Sequence, residues 1–169
     1  EHFYLVSGGI DIHTCIFDSR GDIRYYITRP VKGYGIFPMS KGHFLFLEKS
    51  ICAYSYTVPH TVQMHDMDYL GRVHKTYFVE NGVHHFACEK VPGGNLMIAG
   101  STLQDHCENT VAEIDRNTGE VVRQLVMDEA LYNTKYMDMI DWVHVNSVTY
   151  NEKEDTVLVS MRNIHAAAK

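Results

Sequence analysis

The sequence predicts an all-β fold, and specifically part of a β-propeller. Two turn-and-strand patterns each return about every 50 residues, and helix-forming stretches are scarce. A period of this length, with several short strands in each unit, is typical of propeller blades, which are four-stranded antiparallel sheets. Propellers close with roughly four to eight blades. The 169 residues therefore account for about three to four blades of a larger ring.

The first pattern is an apolar residue, an aspartate, a glycine-containing turn and then an alternating strand. It occurs three times, with its aspartates at Asp18, Asp68 and Asp115. Turn chemistry of this kind joins the two strands of a β-hairpin. The sequence therefore predicts three equivalent hairpins.

The second pattern is a tight polar turn followed by a short apolar strand. It occurs before residues 43–47, 96–99 and 156–160, and its last step is the longer one. We attribute the extra length to an insertion at Asp128–Trp142, which contains the only plausible helical stretch, 128–136, with Asp128 as its N-cap. We interpret residues 1–169 as one partial propeller domain with units at roughly 11–60, 61–108 and 109–162, whose C-terminal blades are missing from this segment. A small self-contained β-sandwich with similar hairpins is the alternative.

Composition limits the function classes. Hydrophobic residues make up 45% of the chain, enough for a real core, and the net charge of −6 predicts no broad attraction to nucleic acid or to an acidic membrane surface. No apolar run approaches the roughly 20 residues that span a bilayer, so we expect no membrane insertion. The widely spaced cysteines are expected to be small buried hydrophobes: Cys15, Cys52, Cys88 and Cys107.

The candidate site comes from equivalent positions in the repeat. Aligning the second and third units places His85 opposite His144, and equivalent inner-strand positions of a propeller converge on its axis. Arg162 follows His144 by 18 residues, at the end of the next strand. Its guanidinium suits a tetrahedral oxyanion. Singly, each of these side chains is more often structural, and Trp142 is more often a core residue than the floor of a binding site.

Two segments resemble a known family. The run Asp141–Tyr150 with Asp155–Arg162 is similar to the signature of bacterial arylsulfate sulfotransferases that use no nucleotide sulfate donor. His84 and His85, followed by Pro92–Leu96, resemble that family's double-histidine segment. The resemblance covers the chain from about Asp11 to its end.

The resemblance implies a six-bladed propeller with an axial site. This site moves the sulfuryl group of an aryl sulfate onto a histidine of the enzyme and then onto a phenolic acceptor, with ping-pong kinetics. His144, Arg162 and one of His84 and His85 match catalytic positions, and we assign Asn146 and Trp142 to substrate binding. The nucleophilic histidine lies later in the family's chain than Lys169. We expect no cofactor and no metal, expect a periplasmic or secreted protein with a cytoplasmic one as the alternative, and leave homo-oligomerisation open.

The chain departs from the family at two positions. Phe86 stands where the family commonly has Asp after its histidines, and Asn163-Ile164 stands where it commonly has His-Gln. The first change removes a carboxylate that could orient a histidine, and the second removes a hydrogen-bond donor. We keep the reaction class and expect altered substrate preference.

Two alternative functions stay open. One is a non-catalytic propeller that serves as a binding or interaction module with an axial anion site. The other is metal binding by His84, His85 and His144, which we disfavour because the sequence places no carboxylate or cysteine to complete a site.

Overall fold

The computed structural model describes residues 2–6, 14–27, 35–47, 61–84, 86–102, 106–131 and 138–169. They form four antiparallel sheets that follow one another along the chain. The first contains β1 (Phe3–Val6), β2 (Cys15–Asp18) and β3 (Ile23–Tyr26). The second contains β4 (Ile36–Pro38), β5 (His43–Leu47), β6 (Thr61–Asp68) and β7 (Val73–Glu80), with a 3₁₀ turn at Ser40–Gly42.

The third sheet contains β8 (Ala87–Glu89), β9 (Leu96–Gly100), β10 (Thr110–Ile114) and β11 (Val121–Val126). The fourth contains β12 (Val145–Asn151), β13 (Thr156–Met161) and β14 (Ala166–Ala168). One short helix, α1 (Met127–Ala130), lies between these two sheets in the chain. Within every sheet, strands adjacent in sequence are adjacent in space. This succession of small up-and-down sheets is that of a partial β-propeller, so the predicted fold class is confirmed and the β-sandwich alternative is wrong.

The aspartate turns are built alike in three sheets, and the third is one residue longer than the other two. Asp18 Oδ1 accepts hydrogen bonds from the backbone N–H groups of Arg20 and Asp22, at 2.9 and 3.1 Å. Asp68 and Asp115 each accept two such bonds in the β6–β7 and β10–β11 turns. A glycine with φ between +80° and +86° completes each turn, in the left-handed region that favours glycine: Gly21, Gly71 and Gly119. The three hairpins are therefore equivalent, as the first pattern predicts.

The repeat units of the sequence and the sheets of the structure differ in phase. The predicted boundaries at 60/61 and 108/109 fall inside the second and third sheets, directly before β6 and β10. The reason is that the recurring turns join strands within a sheet, whereas the connections between sheets carry no repeated turn. The sequence pattern therefore gives the repeat length of the fold, whereas the boundaries of its units do not coincide with those of the sheets.

Each apolar core is shared by two consecutive sheets. On β9, Leu96 and Ile98 pack in a cluster with the second sheet, whereas Met97 and Ala99 pack in a cluster with the fourth. Successive strand residues point to opposite faces, so one strand supplies both cores. A third cluster, which contains Ile27 and Phe44, joins the first sheet to the second.

The first strand of each complete sheet lies on the inner side of the propeller. The rings of Phe37 on β4 and Phe86 beside β8 are 6.1 Å apart, so these strands approach each other. The last strand of the third sheet, β11, is almost entirely exposed. In the fourth sheet, β12 has the position of β4 and β8. The segments that enter β8 and β12 carry His84 and His144.

The insertion differs from its prediction. The helix covers only Met127–Ala130, its N-cap is Val126, and no side chain caps it. The predicted N-cap role of Asp128 is wrong because its carboxylate accepts hydrogen bonds from Trp142 Nε1 and Asn109 Nδ2, both at 2.7 Å. The remainder of the predicted helix, from 132 on, lies outside the described residues.

The described cysteines are free thiols. Cys107 is buried, as expected, whereas Cys15 and Cys88 are half-buried, and Cys52 lies outside the described residues. Burial raises the pKa of Cys88 to about 11, so this thiol stays protonated and unreactive at neutral pH. Among the described parts of the chain, no helix is long and apolar enough to cross a membrane.

Candidate functional site

His144 lies directly before β12 and is 3% exposed. Its backbone has φ of 50°, a left-handed conformation that a non-glycine residue adopts rarely and often at functional sites. Its carbonyl accepts a 3.0 Å hydrogen bond from the backbone N–H of Arg162, directly after β13. The structure therefore brings together the two residues that the sequence places 18 positions apart.

Two carboxylates meet the same nitrogen of His144. Nδ1 lies 2.8 Å from Asp141 Oδ2 and 2.7 Å from Glu108 Oε2. Burial alone lowers the pKa of His144, but the hydrogen bonds to Asp141 and Glu108 and the charges of both carboxylates outweigh it and raise the pKa to about 9. His144 is therefore an imidazolium at neutral pH, with Nδ1 bonded to carboxylate.

Glu108 reaches His144 from the third sheet. It lies two residues before β10, is 1% exposed, and has a left-handed φ of 50°. Its backbone N–H donates to Ser101 Oγ at 2.8 Å, and its carbonyl accepts from Val145 N–H at 2.7 Å. The sequence analysis missed Glu108. The one available signal, a charged residue just before an apolar strand, is equally typical of an ordinary turn.

His84 is the second histidine at Glu108. It is buried, its Nε2 lies 2.6 Å from Ser101 Oγ, and its Nδ1 lies 3.7 Å from Glu108 Oε1. Since the other oxygen of Glu108 contacts His144, this one carboxylate stands between the histidines of two consecutive sheets. His85 lies outside the described residues, and the assignment of a site role to it stays a prediction.

The strand registers around the two histidine segments are similar. Glu89 pairs with Leu96, the first residue of β9, and Tyr150 pairs with Val157, the second residue of β13. Between Tyr150 and His144 the ladder has a bulge at Asn146, which adds one residue to β12. Since residue 85 lies outside the described residues, the choice between His84 and His85 as the equivalent of His144 stays a prediction.

Asn146 and Arg162 line one shallow depression of about 410 Å³. Both side chains are exposed, and Arg162 Nε donates to Asn163 Oδ1 at 3.2 Å. The bulge that interrupts β12 at Asn146 brings this residue beside the end of β13. A predicted substrate-binding residue and the predicted cation thus share a surface, and this surface adjoins the backbone of His144.

Trp142 does not lie on this surface. It is fully buried in the core between the third and fourth sheets. Its indole N–H donates to Asp128, which leaves neither face of the ring open. The structure therefore places Trp142 as a core residue.

The two departures from the family pattern have structural counterparts. Phe86 is half-buried and packs in the core, and the carboxylates that orient His144 come from Glu108 and Asp141. Asn163 Nδ2 donates to the carbonyl and to Oδ2 of Asp141. Asn163 thus supplies a hydrogen-bond donor that orients one of the carboxylates.

A metal ion has one candidate position among the described residues. The donor atoms of Glu108, Asp141 and His144 all lie within 4.8 Å of one another. The premise that no carboxylate accompanies the histidines is therefore wrong. However, the carboxylate oxygens lie 2.7 and 2.8 Å from Nδ1 of His144, which is hydrogen-bond distance and closer than the ligand atoms around one metal ion lie to each other. The arrangement favours a hydrogen-bonded imidazolium.

A comparison with protein families identifies the family of this chain. The family model described as Arylsulfotransferase (ASST) matches residues 1–169, the whole chain. The chain belongs to the arylsulfotransferase family. The family resemblance inferred from the sequence is thereby confirmed.

A solved structure provides a further comparison for this arylsulfotransferase. The crystal structure of the WD40 beta propeller domain of Doa1 is similar at 13% identity with a TM-score of 0.42, over 92% of this chain and 56% of the other. The chain thus spans little more than half the length of that domain. Among curated proteins, none matches the chain.

Proposed function

We propose that the protein containing this chain transfers a sulfuryl group from an aryl sulfate ester to a phenolic acceptor through a sulfohistidine intermediate. Membership of the arylsulfotransferase family supports the reaction class. The observation that carries the proposal is the 3.0 Å backbone hydrogen bond between Arg162 and His144, which sets an exposed guanidinium next to the segment that carries the buried imidazole. A guanidinium suits the oxygens of a sulfate ester.

In sulfuryl transfer, Arg162, Asn146 and His144 stabilise charge and move a proton, and they form no covalent bond to the substrate. Sulfuryl transfer resembles phosphoryl transfer, in which a loose transition state spreads negative charge over the equatorial and leaving oxygens. Arg162 binds sulfuryl oxygens, and Asn146 on the same surface donates to the ester. His144 donates from Nε2 to the departing phenolate oxygen and, with a proton to give at neutral pH, protonates it.

The group transfer has two balanced halves. A histidine outside this segment attacks sulfur as the bond to the aryl oxygen breaks, and the acid proton goes to the released phenol. In the second half, an acceptor phenol attacks the sulfohistidine and loses its proton to the same acid–base group. His84, or His85, contributes a further donor to the sulfuryl oxygens. This covalent sequence predicts ping-pong kinetics.

The test uses the full-length protein with 4-nitrophenyl sulfate as donor and phenol as acceptor. We expect release of nitrophenolate, formation of phenyl sulfate, and parallel double-reciprocal lines. A matched control with 4-nitrophenyl phosphate reports whether the site accepts the dianionic analogue. Absence of release by a folded protein would overturn the proposal, and would leave a non-catalytic propeller with an anion site. Retained sulfate binding under those conditions would identify that module.

The same proposal includes an exported protein, periplasmic or secreted, supported by the usual location of the family. Fractionation of cells that express the full-length protein tests it. The donor and acceptor are small molecules, and self-association is measured separately by the concentration dependence of the molar mass.

A further inference from the structure

The buried polar groups around His144 form one connected set across the third and fourth sheets. Ser101 Oγ accepts the backbone N–H of Glu108 and bonds to His84 Nε2, while the carboxylate of Glu108 bonds to His144 Nδ1. The carbonyl of Glu108 also fixes the backbone of Val145, next to His144. Three of these four contacts therefore involve one residue, Glu108.

We infer that Glu108 is a positioning residue, whose carboxylate bonds to Nδ1 of His144 and fixes the orientation of that ring beside His84. The catalytic part of this inference rests on the proposed function. The part that concerns the orientation and protonation of the imidazole does not, because it depends only on the contacts of the folded chain.

The position of Glu108 is specified more strongly than a packing role requires. A carboxylate that is 1% exposed is costly unless it is paired, and here one oxygen faces each histidine, at 2.7 Å and 3.7 Å. Its left-handed backbone matches that of His144, so two uncommon conformations meet at one contact. These features are expected when the orientation of a side chain is under selection.

The charges that face His144 come from three elements. Glu108 approaches from the segment before β10 and Asp141 from the segment before β12, and Asn163, after β13, donates to Asp141. The side chain of Asp141 is 27% exposed against 1% for Glu108. The hydrogen bonds from Asp141 and Glu108 both raise the pKa of His144, and the charge of the buried Glu108 adds more to that rise than the charge of the more exposed Asp141.

The test compares Glu108→Gln with Glu113→Gln in the full-length protein. Glu113 is a matched control because it lies in the same sheet and is buried, with its carboxylate bonded to Lys90 and Asn95. Nitrogen NMR of labelled histidines follows the titration and the Nδ1 proton of His144 and the signal of His84. The pH profile of kcat/KM for 4-nitrophenyl sulfate is measured in parallel.

We expect Glu108→Gln to lower the titration midpoint of His144 by about one unit or more and to shift the signal of His84. It should also lower kcat/KM about tenfold or more and move the alkaline limb of the profile downward. Glu113→Gln should change none of these. An unchanged His144 titration in Glu108→Gln would overturn the inference, as would lower activity with an unshifted pH profile, which indicates a structural role only.

Two further measurements keep the inference testable if Glu108→Gln does not fold. In the unmodified protein, a His144 midpoint at the ordinary histidine value would overturn it, and a raised midpoint with a slowly exchanging Nδ1 proton would support it. Glu108→Asp keeps the charge but shortens the reach, so it should lower the midpoint less than a charge removal does. If no sulfuryl transfer is found while the titrations behave as expected, the proposed function fails and the positioning role stands.

Discussion

The backbone N–H of Arg162 donates to the carbonyl of His144 across 3.0 Å, whereas the two side chains lie in different surroundings. The guanidinium is exposed beside a shallow depression, and the imidazole is buried between carboxylates. A fixed backbone contact thus joins a solvent-accessible cation to a buried proton donor. Removing either side chain should leave the other in place.

Replacing Arg162 by Ala should lower kcat/KM for 4-nitrophenyl sulfate by about a hundredfold or more, because a donor to the developing charge is lost. The unfolding midpoint should not change, since the side chain is exposed and its backbone contact remains. Enzyme assays and thermal unfolding of the same preparation check both parts. Arg72→Ala removes another exposed arginine, in the β6–β7 turn, and should keep full activity. Equal activity of the two variants would remove Arg162 from the site.

Stability should decrease with alkaline pH because of His144. Its pKa is raised from 6.5 to about 9 in the folded state, so the stabilisation is fully present below about pH 6.5 and is lost as pH rises through about 9. The shift corresponds to at most about 3 kcal/mol of unfolding free energy. Urea unfolding at about pH 6 and about pH 10 measures this change. The His144→Asn variant should show a flatter dependence, whereas replacement of exposed His165 by Asn should not.

Replacing Trp142 by Phe should reduce stability and leave substrate binding unchanged. The variant loses the 2.7 Å hydrogen bond to Asp128 and part of the core volume, a loss of about 1–3 kcal/mol. Chemical denaturation gives the stability, and KM for the aryl sulfate gives the binding. A higher KM with normal stability would contradict the core placement and return Trp142 to the substrate site.

Arg116 should be important for the contact between the second and third sheets. Its guanidinium bonds to Asp66 on β6, at 2.9 Å, and to Glu89 on β8. Arg116→Met leaves both carboxylates without this partner and should destabilise the protein by about 3 kcal/mol. The deficit should shrink as the pH falls, because protonation removes the uncompensated charges.

Denaturation of the Arg116 variant at neutral and acidic pH checks the prediction. Arg20→Met is the matched control, since the Arg20 side chain is 68% exposed and its buried partner Asp18 keeps an ion pair with Arg24. An exposed arginine of this kind contributes less than about 1 kcal/mol. Equal destabilisation by the two substitutions would contradict the prediction that the ion pairs of Arg116 stabilise the contact between the second and third sheets.

The parts of the fold that depend on local chemistry could be predicted from the sequence. The aspartate turns form because a side-chain oxygen meets nearby backbone N–H groups, so Asp18, Asp68 and Asp115 identify their hairpins without tertiary information. The adjacency of His144 and Arg162 is local in the same sense, since they flank two consecutive antiparallel strands.

The parts that depend on contacts between sheets could not be predicted. Glu108 reaches His144 only because the third and fourth sheets pack together, and its short-range sequence context contains no trace of that approach. Asp128 is recruited by the indole of Trp142 in the same way, which overrides its preference for an N-cap. The choice between His84 and His85 depends on strand register, because a shift of one residue, as at the bulge of Asn146, exchanges the two faces of a strand.

Shared cores also have a consequence for how such a protein changes in evolution. In the described part of the chain, residues of two consecutive sheets build each apolar cluster, so no cluster belongs to a single sheet. A duplication that adds one whole sheet brings one new interface of the same kind and leaves the others intact. A deletion inside a sheet damages two interfaces at once. Insertions and losses in this lineage should therefore accumulate in the connections between sheets or involve whole units.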